Sequence, residues 1–303
     1  MKRVAVLMGG WSAEREVSLS TGRGVAAALR QSGYDAIEID VERDVTALIA
    51  ALTPRPDVAF NALHGRGGED GHVQAILDLL EIPYTHSGLL ASAVAMDKPL
   101  ARQLFRAAGL PVPEGRVATK AEIAAGTVMA APYVVKPTNE GSSVGVIIVR
   151  PGDNRTISIG EINDEMLVER FIPGRELTVA VMGDRPLGVI EIMSQGSTWY
   201  DYEAKYAAGG SIHVIPAAIH PETYEKACAI AVAAHEALGC RGITRADLRY
   251  DDSAGEPGQL FLLEINTQPG MTPTSLVPDA GRHFGISYAE LVTWMVENAT
   301  CDA

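Results

Sequence analysis

The sequence has no CxxC pair; its three cysteines, Cys228, Cys240 and Cys301, are widely spaced. Neither a disulfide framework nor a zinc site is indicated, and the thiols are read as ordinary and reduced. There is also no Lys/Arg block, and 38 acidic against 25 basic residues leave a net charge of -13. Nucleic acid and an anionic membrane surface are therefore not expected partners, and an anionic ligand would need locally placed cations. No stretch approaches the roughly 18 apolar residues of a membrane span, and the opening MKRVAVLMGG is too short an apolar run for a signal peptide. A cytoplasmic protein is expected. The first strand is not followed by GxGxxG, which argues against the dinucleotide-dehydrogenase reading that Met8-Gly9-Gly10 invites.

What is present is 303 residues, 47% of them apolar, enough for two or three domains with their own cores. Up to about Met96 the pattern alternates strand and helix: Val4 to Leu7, a helix within Ser12 to Arg30, Ala36 to Ile39, a helix near Val45 to Leu52, Val58 to Asn61, and a helix from Gly71 to Leu80. That rhythm predicts an open, largely parallel α/β sheet, with ligands at the carboxyl ends of strands near Met8-Gly9-Gly10 and Asn61 to Gly65. Asp97 caps a helix carrying Lys98, and Gly109, Pro111 and Pro113 end it. From Arg116 short strands follow that pair locally, as in a small antiparallel domain. Gln195 to Ser211 lacks periodicity and reads as a flap. A helix from Glu222 to Leu238, strands around Asp247 and Glu264, and a helix opened by the box Ser287-x-x-Glu290 complete the chain.

Two stretches carry chemistry. VKPTNEGSSVGVIIV, beginning at Val135, joins two strands through a glycine- and serine-rich loop whose N–H groups could form a phosphate nest. A plain hairpin turn would read the same way. In TRADLRYDDSAGEPGQLFLLEIN the charges of Arg245, Asp247 and Arg249 share one strand face, and Glu264 and Asn266 share a face of the next strand. A turn centred between Gly255 and Glu256 would set Asp247 opposite Glu264. Two facing carboxylates ask for a cation, and an all-oxygen set selects Mg²⁺ or Mn²⁺ over zinc. A solvated face on which Arg249 neutralises Asp247 is the alternative. Lys98 and Lys136, each at the edge of an apolar element, could reach a polyphosphate.

Lys136, the EGSSVG loop, Glu169 and the set Asp247, Glu264 and Asn266 together resemble the ATP-grasp fold. AVLMGGWSAEREVSLSTG, ALHGRGGEDG, MDK, VVKPTNEGSSVGV, YDYEAKY and LLEINTQPGMTPTSLVP, in that order, resemble the D-alanine:D-alanine ligase family almost from end to end. The resemblance implies a mixed α/β fold of three domains: an N-terminal open α/β domain at 1–96, a small central lid domain at 97–175, and a C-terminal α+β domain at 176–303 that includes the flap at 195–211. It implies ATP-dependent joining of two D-alanines through D-alanyl phosphate for peptidoglycan precursor synthesis, two Mg²⁺ or Mn²⁺ ions, and a homodimer.

Carried over residue by residue, the family pattern assigns the triphosphate to Lys98, Lys136 and the loop from Glu140 through Gly141, Ser143 and Val144. Glu169 and the backbone of Arg170 and Ile172 would read adenine, and Glu176 the ribose. Asp247, Glu264 and Asn266 would hold the metal ions. Glu14 would anchor the first ammonium with His64 nearby, tied to Ser142 and Tyr206. Arg245 and the Gly270 N–H would stabilise the oxyanion, and Lys205, Ser275 and Leu276 would hold the second carboxylate. Gln268, Arg170 and Thr244 depart from the familiar pattern, with Thr244 and Gln268 expected to flank the product side. Rival readings are a ligase making D-alanyl-D-lactate or D-alanyl-D-serine, and a non-catalytic nucleotide-binding ATP-grasp protein.

Overall fold

A computed structural model describes residues 1–141, 145–152, 164–194 and 211–302. In chain order, β1 (Arg3–Gly9), α1 (Arg15–Gln31), β2 (Asp35–Val41), α2 (Val45–Ala51), β3 (Val58–Asn61) and α3 (His72–Leu79) form the first part. Its sheet is parallel with order β2-β1-β3, as the strand-helix rhythm predicts. The helix α1 lies close on β1 because Gly22 faces it: a Cβ there would come 2.5 Å from the Cβ of Met8. Two helices, α4 (Leu89–Met96) and α5 (Lys98–Ala107), lead onward. Asp97 accepts from the Leu100 N–H at 3.0 Å and so caps α5.

The next sheet is fully antiparallel. It contains β4 (Gly115–Thr119), β5 (Tyr133–Pro137), β6 (Ile147–Val149) and β7 (Glu165–Arg170), in the order β4-β7-β5-β6, with a short helix α6 (Lys120–Ala124) after β4. Ala118, Ile123, Tyr133, Val135, Met166 and Val168 form its own small core.

A larger antiparallel sheet holds β8 (Arg175–Met182), β9 (Arg185–Ser194), β10 (Ser211–Val214), β11 (Ile243–Asp251) and β12 (Gln259–Asn266), in the order β10-β9-β8-β11-β12. Ala246, Leu248, Tyr250, Leu260, Leu262 and Ile265 bury one face of its hairpin against α7 (Pro221–Ala237) and α5. The opposite face of that hairpin is left for polar groups, which is the alternation read from the sequence. The chain then runs through α8 (Leu276–His283) into α9 (Tyr288–Glu297), opened by the capping box of Ser287 and Glu290. Leu291, Val292, Met295 and Val296 of α9 share a core with Val4, Val6, Val25 and Leu29, so the last helix seals the first sheet.

The helices α4 and α6 were not foreseen. LLASAVAM shows no helical polarity to read, since Leu90 is exposed while Ala91 and Val94 are buried. The hairpin turn also differs from expectation. Asp251 pairs with Gln259, so the turn is centred on Gly255 and would by itself set Asp247 opposite Leu263. A bulge at Leu263 adds one residue to β12, and Asp247 faces Glu264 after all.

Candidate functional site

Where the two antiparallel sheets meet lies a cleft. Val134, Val146, Phe171, Ile172 and Leu263 give it apolar walls. Its charged lining comes from Lys98 of α5, Lys136 of β5, Glu169 of β7, and Asp247 and Glu264 of the β11–β12 hairpin. A lining that joins apolar walls to convergent charges suits a flat base attached to a polyphosphate.

Each acid here is held by a base. Arg245 grips Asp247 with a fork, Nε at 2.9 Å from Oδ1 and Nη2 at 2.7 Å from Oδ2, and the Thr178 hydroxyl donates to Oδ1 at 2.7 Å. Lys98 Nζ lies 3.2 Å from Glu264 Oε2 and donates to the Glu140 carbonyl at 2.7 Å. Glu169, only 2% exposed, is paired with both Lys136 and Arg102. Burial, with Lys98 and Arg102 close by, pushes the Lys136 ammonium down to about 8, against an upward pull from Glu264.

Arg249 does not neutralise Asp247, as the solvated-face alternative required. It is buried and donates to the Ile172 carbonyl at 3.2 Å and the Gly174 carbonyl at 2.7 Å, with Glu176 3.6 Å away. It therefore pins the connection between β7 and β8 that forms the cleft's apolar wall. Arg170 turns its guanidinium over Phe261, 5.2 Å from the ring centroid, so its side chain leaves the cleft edge to its backbone.

A second pocket adjoins the first through Glu140 and Gly141, which line both. Trp11, Ser12, Glu14, Gly65 and Arg66 line its far side. The Glu14 carboxylate lies against two glycines: a Cβ on Gly65 would come 3.1 Å from Oε2, and one on Gly141 3.6 Å. Gly65 has φ +69, a conformation that a side chain would strain. His64 sits behind this pocket, 5% exposed, with Nδ1 3.1 Å from Glu69 and Nε2 3.3 Å from Thr21. Burial pushes the Glu69 carboxyl up, and His64 opposes it.

Ser275 stands at the start of α8, but its hydroxyl turns back to Thr272, 2.7 Å from Oγ1, and caps no helix N–H. Gly270 adjoins it, a Cβ there falling 3.1 Å from the Ser275 hydroxyl, and Leu276 is the first helical residue. Thr244 and Gln268 line neither pocket, and both side chains turn into the interior. The Thr244 hydroxyl is buried 2.8 Å from His235 Nδ1, and Gln268 is buried with its amide on Asn61 and Leu63. Ser142, Ser143, Val144, Lys205, Tyr206 and nearly all of the expected flap lie outside the described residues.

Arg102, Glu69, Thr21 and Thr178 were missed in the sequence. Arg102, Thr21 and Thr178 lie far along the chain from the groups they touch, with no motif spacing to signal them, whereas Glu69 stands five residues from His64 inside the ALHGRGGEDG stretch. No group of three His, Cys, Asp or Glu among the described residues is arranged to hold a metal ion. Asp247, Glu264 and Asn266 nonetheless suit a hard divalent ion: all three offer oxygen, and the two carboxylates face each other across the β11–β12 ladder. No helix among the described residues is long and apolar enough to cross a membrane.

Residues 104–297 match the family model described as "D-ala D-ala ligase C-terminus", and residues 45–87 the one described as "D-ala D-ala ligase N-terminus". A curated relative named D-alanine--D-alanine ligase, from Paramagnetospirillum magneticum, is 60% identical over 99% of both chains. Two crystal structures of the D-alanine--D-alanine ligase from Bacillus anthracis superpose with TM-scores of 0.85 and 0.82, at 33% and 32% identity. Both alignments cover 98% of this chain, with 97% and 96% of the respective neighbours, and the second structure is complexed with ATP.

Proposed function

The chain belongs to the D-alanine–D-alanine ligase family, and from that premise we propose the following reading of its two adjoining pockets. The protein is an ATP-grasp ligase that joins two D-alanines with ATP, supplying D-alanyl-D-alanine for peptidoglycan precursors. The single observation that carries the site assignment is that one stretch, Glu140–Gly141, lines both the cleft with Lys98 and Lys136 and the pocket with Glu14. A phosphoryl group in one would thus face an amino acid in the other.

ATP enters the cleft between the two antiparallel sheets, with adenine between Val134 and Ile172. The Arg170 N–H is taken by the Glu114 carbonyl at 2.8 Å and the Ile172 carbonyl by Arg249, leaving the Arg170 carbonyl and the Ile172 N–H to read the base. Glu176 is assigned to the ribose, while Lys98, Lys136 and the loop at 140–144 take the phosphates. Glu169 serves mainly to hold Lys136 and Arg102 in place. Asp247, Glu264 and Asn266 would hold divalent ions, Mg²⁺ or Mn²⁺, which when bound spread the charge of the phosphoryl oxygens.

Glu14 anchors the first D-alanine's ammonium so that its carboxylate attacks the γ-phosphorus; ADP leaves and D-alanyl phosphate forms. The deprotonated amine of the second D-alanine attacks the acyl carbon, and Arg245 with the Gly270 N–H stabilises the oxyanion. Its collapse breaks the acyl carbon–oxygen bond, phosphate departs with that electron pair, and the nitrogen gives up one proton to form the amide. Ser275 and the start of α8 receive the second carboxylate, a suitable place for an anion. Roles for Ser142, Ser143, Val144, Lys205 and Tyr206, in closing the site and excluding water, belong to the same reading, as do the three-domain division at 96 and 175 and a homodimer.

D-Lactate or D-serine as second substrate is not favoured, because the 60%-identical relative is named for the dipeptide. The test is to incubate the protein with ATP, Mg²⁺ and D-alanine and follow ADP and product by mass. Dipeptide together with ADP supports the assignment; ADP release without dipeptide, or preference for D-lactate at neutral pH, sinks it.

A further inference from the structure

Asn61 ends β3, fully buried, and its side-chain amide is used on every side. Its Nδ2 donates to the Gln268 Oε1 at 2.7 Å and to the Gly68 carbonyl at 2.9 Å, while its Oδ1 accepts from the Leu63 N–H at 3.2 Å. Gln268 returns a second bond, Nε2 to the Leu63 carbonyl. The same residue's backbone N–H donates to Asn266 Oδ1 at 2.8 Å. One glutamine, 1% exposed, thus ties the end of β12 to the loop that follows β3.

That loop continues directly into the Glu14 pocket. The His64 carbonyl, one residue past Leu63, accepts from the Ser12 hydroxyl at 2.7 Å, and Ser12 Oγ accepts the Glu14 N–H at 3.2 Å. Glu14 then rests against Gly65. The contacts form an unbroken run from Asn266 through Gln268, Leu63, His64 and Ser12 to Glu14. The loop is also held by Asn61, by the His64 ring and by the Gly68 and Glu69 N–H groups on the Gly65 carbonyl. Bonds from Ala62 to Leu7 and from Ser18 to Ala62 hold it too, all of them from the N-terminal part of the chain and not from the β11–β12 hairpin.

We infer that Gln268 is a positioning residue for the first amino acid: its buried amide fixes the Leu63–Gly65 loop, and through it Glu14, relative to the hairpin that faces the phosphates. This rests on the ligase reading above and adds to it a residue that touches no substrate. Positioning matters here because nucleophile and phosphorus must be set within a fraction of an ångström. A side chain of similar length without polar atoms would leave the Leu63 carbonyl and one Asn61 N–H unpaired in the interior, and the loop would move to find partners.

The test is Gln268→Met, which preserves length and removes both bonds. Initial rates of dipeptide formation are measured while D-alanine and ATP are varied separately. The half-saturating D-alanine concentration of the first site is expected to rise about tenfold, with that for ATP changed less than twofold. A purely structural glutamine would lower melting temperature without splitting the two substrates. Unchanged D-alanine saturation, or a parallel rise for both substrates, overturns the inference. Should Gln268→Met not fold, Gln268→Glu decides. It keeps an acceptor for Asn61 but sets an oxygen against the Leu63 carbonyl, so it too must raise the D-alanine value, and an unchanged value overturns the inference. Wild-type protein that makes no dipeptide would overturn the ligase reading instead, before any variant is considered.

Discussion

Asp247 stands directly across the β11–β12 ladder from Glu264, and each carboxylate already has a cation, Arg245 on the one and Lys98 on the other. Facing carboxylates repel unless compensated, so the pair is a standing demand for positive charge. Glu264→Gln halves that demand. It is expected to weaken Mn²⁺ binding at least about a hundredfold, read by electron paramagnetic resonance titration of free Mn²⁺ in the presence of ATP. Affinity within threefold of wild type would remove Glu264 from the metal-binding set.

The two arginines of β11 have separate tasks and should fail differently. Arg245→Lys loses the fork and the donor proposed for the oxyanion, so kcat should fall on the order of 10² to 10³ while ATP binding changes little. Arg249→Lys should leave the chemical step nearly intact. Losing its contacts to the Ile172 and Gly174 carbonyls is expected to loosen the adenine wall, lowering ATP affinity and melting temperature together. Titration calorimetry and thermal melts separate the two patterns; equal losses of kcat in both variants would contradict this division.

Lys136 gives a pH signature. Its ammonium is pushed down to about 8 by burial, yet it must be charged to meet a phosphate, and ATP would hold it charged. Binding therefore takes up a proton once the free protein has lost it. ATP affinity should be flat below about pH 8 and weaken by up to about tenfold per pH unit above it. Calorimetry in two buffers of different ionisation enthalpy should show proton uptake rising toward one. Affinity independent of pH between 7.5 and 9.5 would exclude this role.

Away from the cleft, His86 is buried edge-on to Phe60, with ring centroids 5.9 Å apart, and burial drives its imidazole down to about 3. The unfolded chain binds a proton near pH 6.5 that the folded chain refuses. Stability is thus complete above about 6.5 and declines as pH falls toward 3, by up to ~1.4 kcal/mol per unit from this residue. His86→Asn, with a side chain that tolerates the φ of +70 found there, should flatten that slope in acid-dependent denaturant melts. An unchanged slope would place the acid sensitivity elsewhere.

How much of this was legible beforehand follows from the range of each interaction. Caps and alternation are local, so Asp97, the Ser287 box and the polar face of Arg245, Asp247 and Arg249 could be read directly from neighbouring residues. The facing of Asp247 and Glu264 was reached through a turn placed half a residue too late. The unseen bulge at Leu263 compensated for that shift, since bulges leave little trace in hydrophobic pattern. Partners chosen by tertiary approach were not legible: Arg102 on Glu169, Thr178 on Asp247, and above all Gln268, whose motif position suggests the pocket and whose side chain turns into the interior.

The thin partition of Glu140 and Gly141 between the two pockets has a pharmacological corollary. A nucleotide-like head in the cleft with Lys98 and Lys136 and an ammonium held by Glu14 would meet across these two residues. A short phosphonate linker could join them into a single bisubstrate inhibitor, and competition against both ATP and D-alanine would be its kinetic fingerprint.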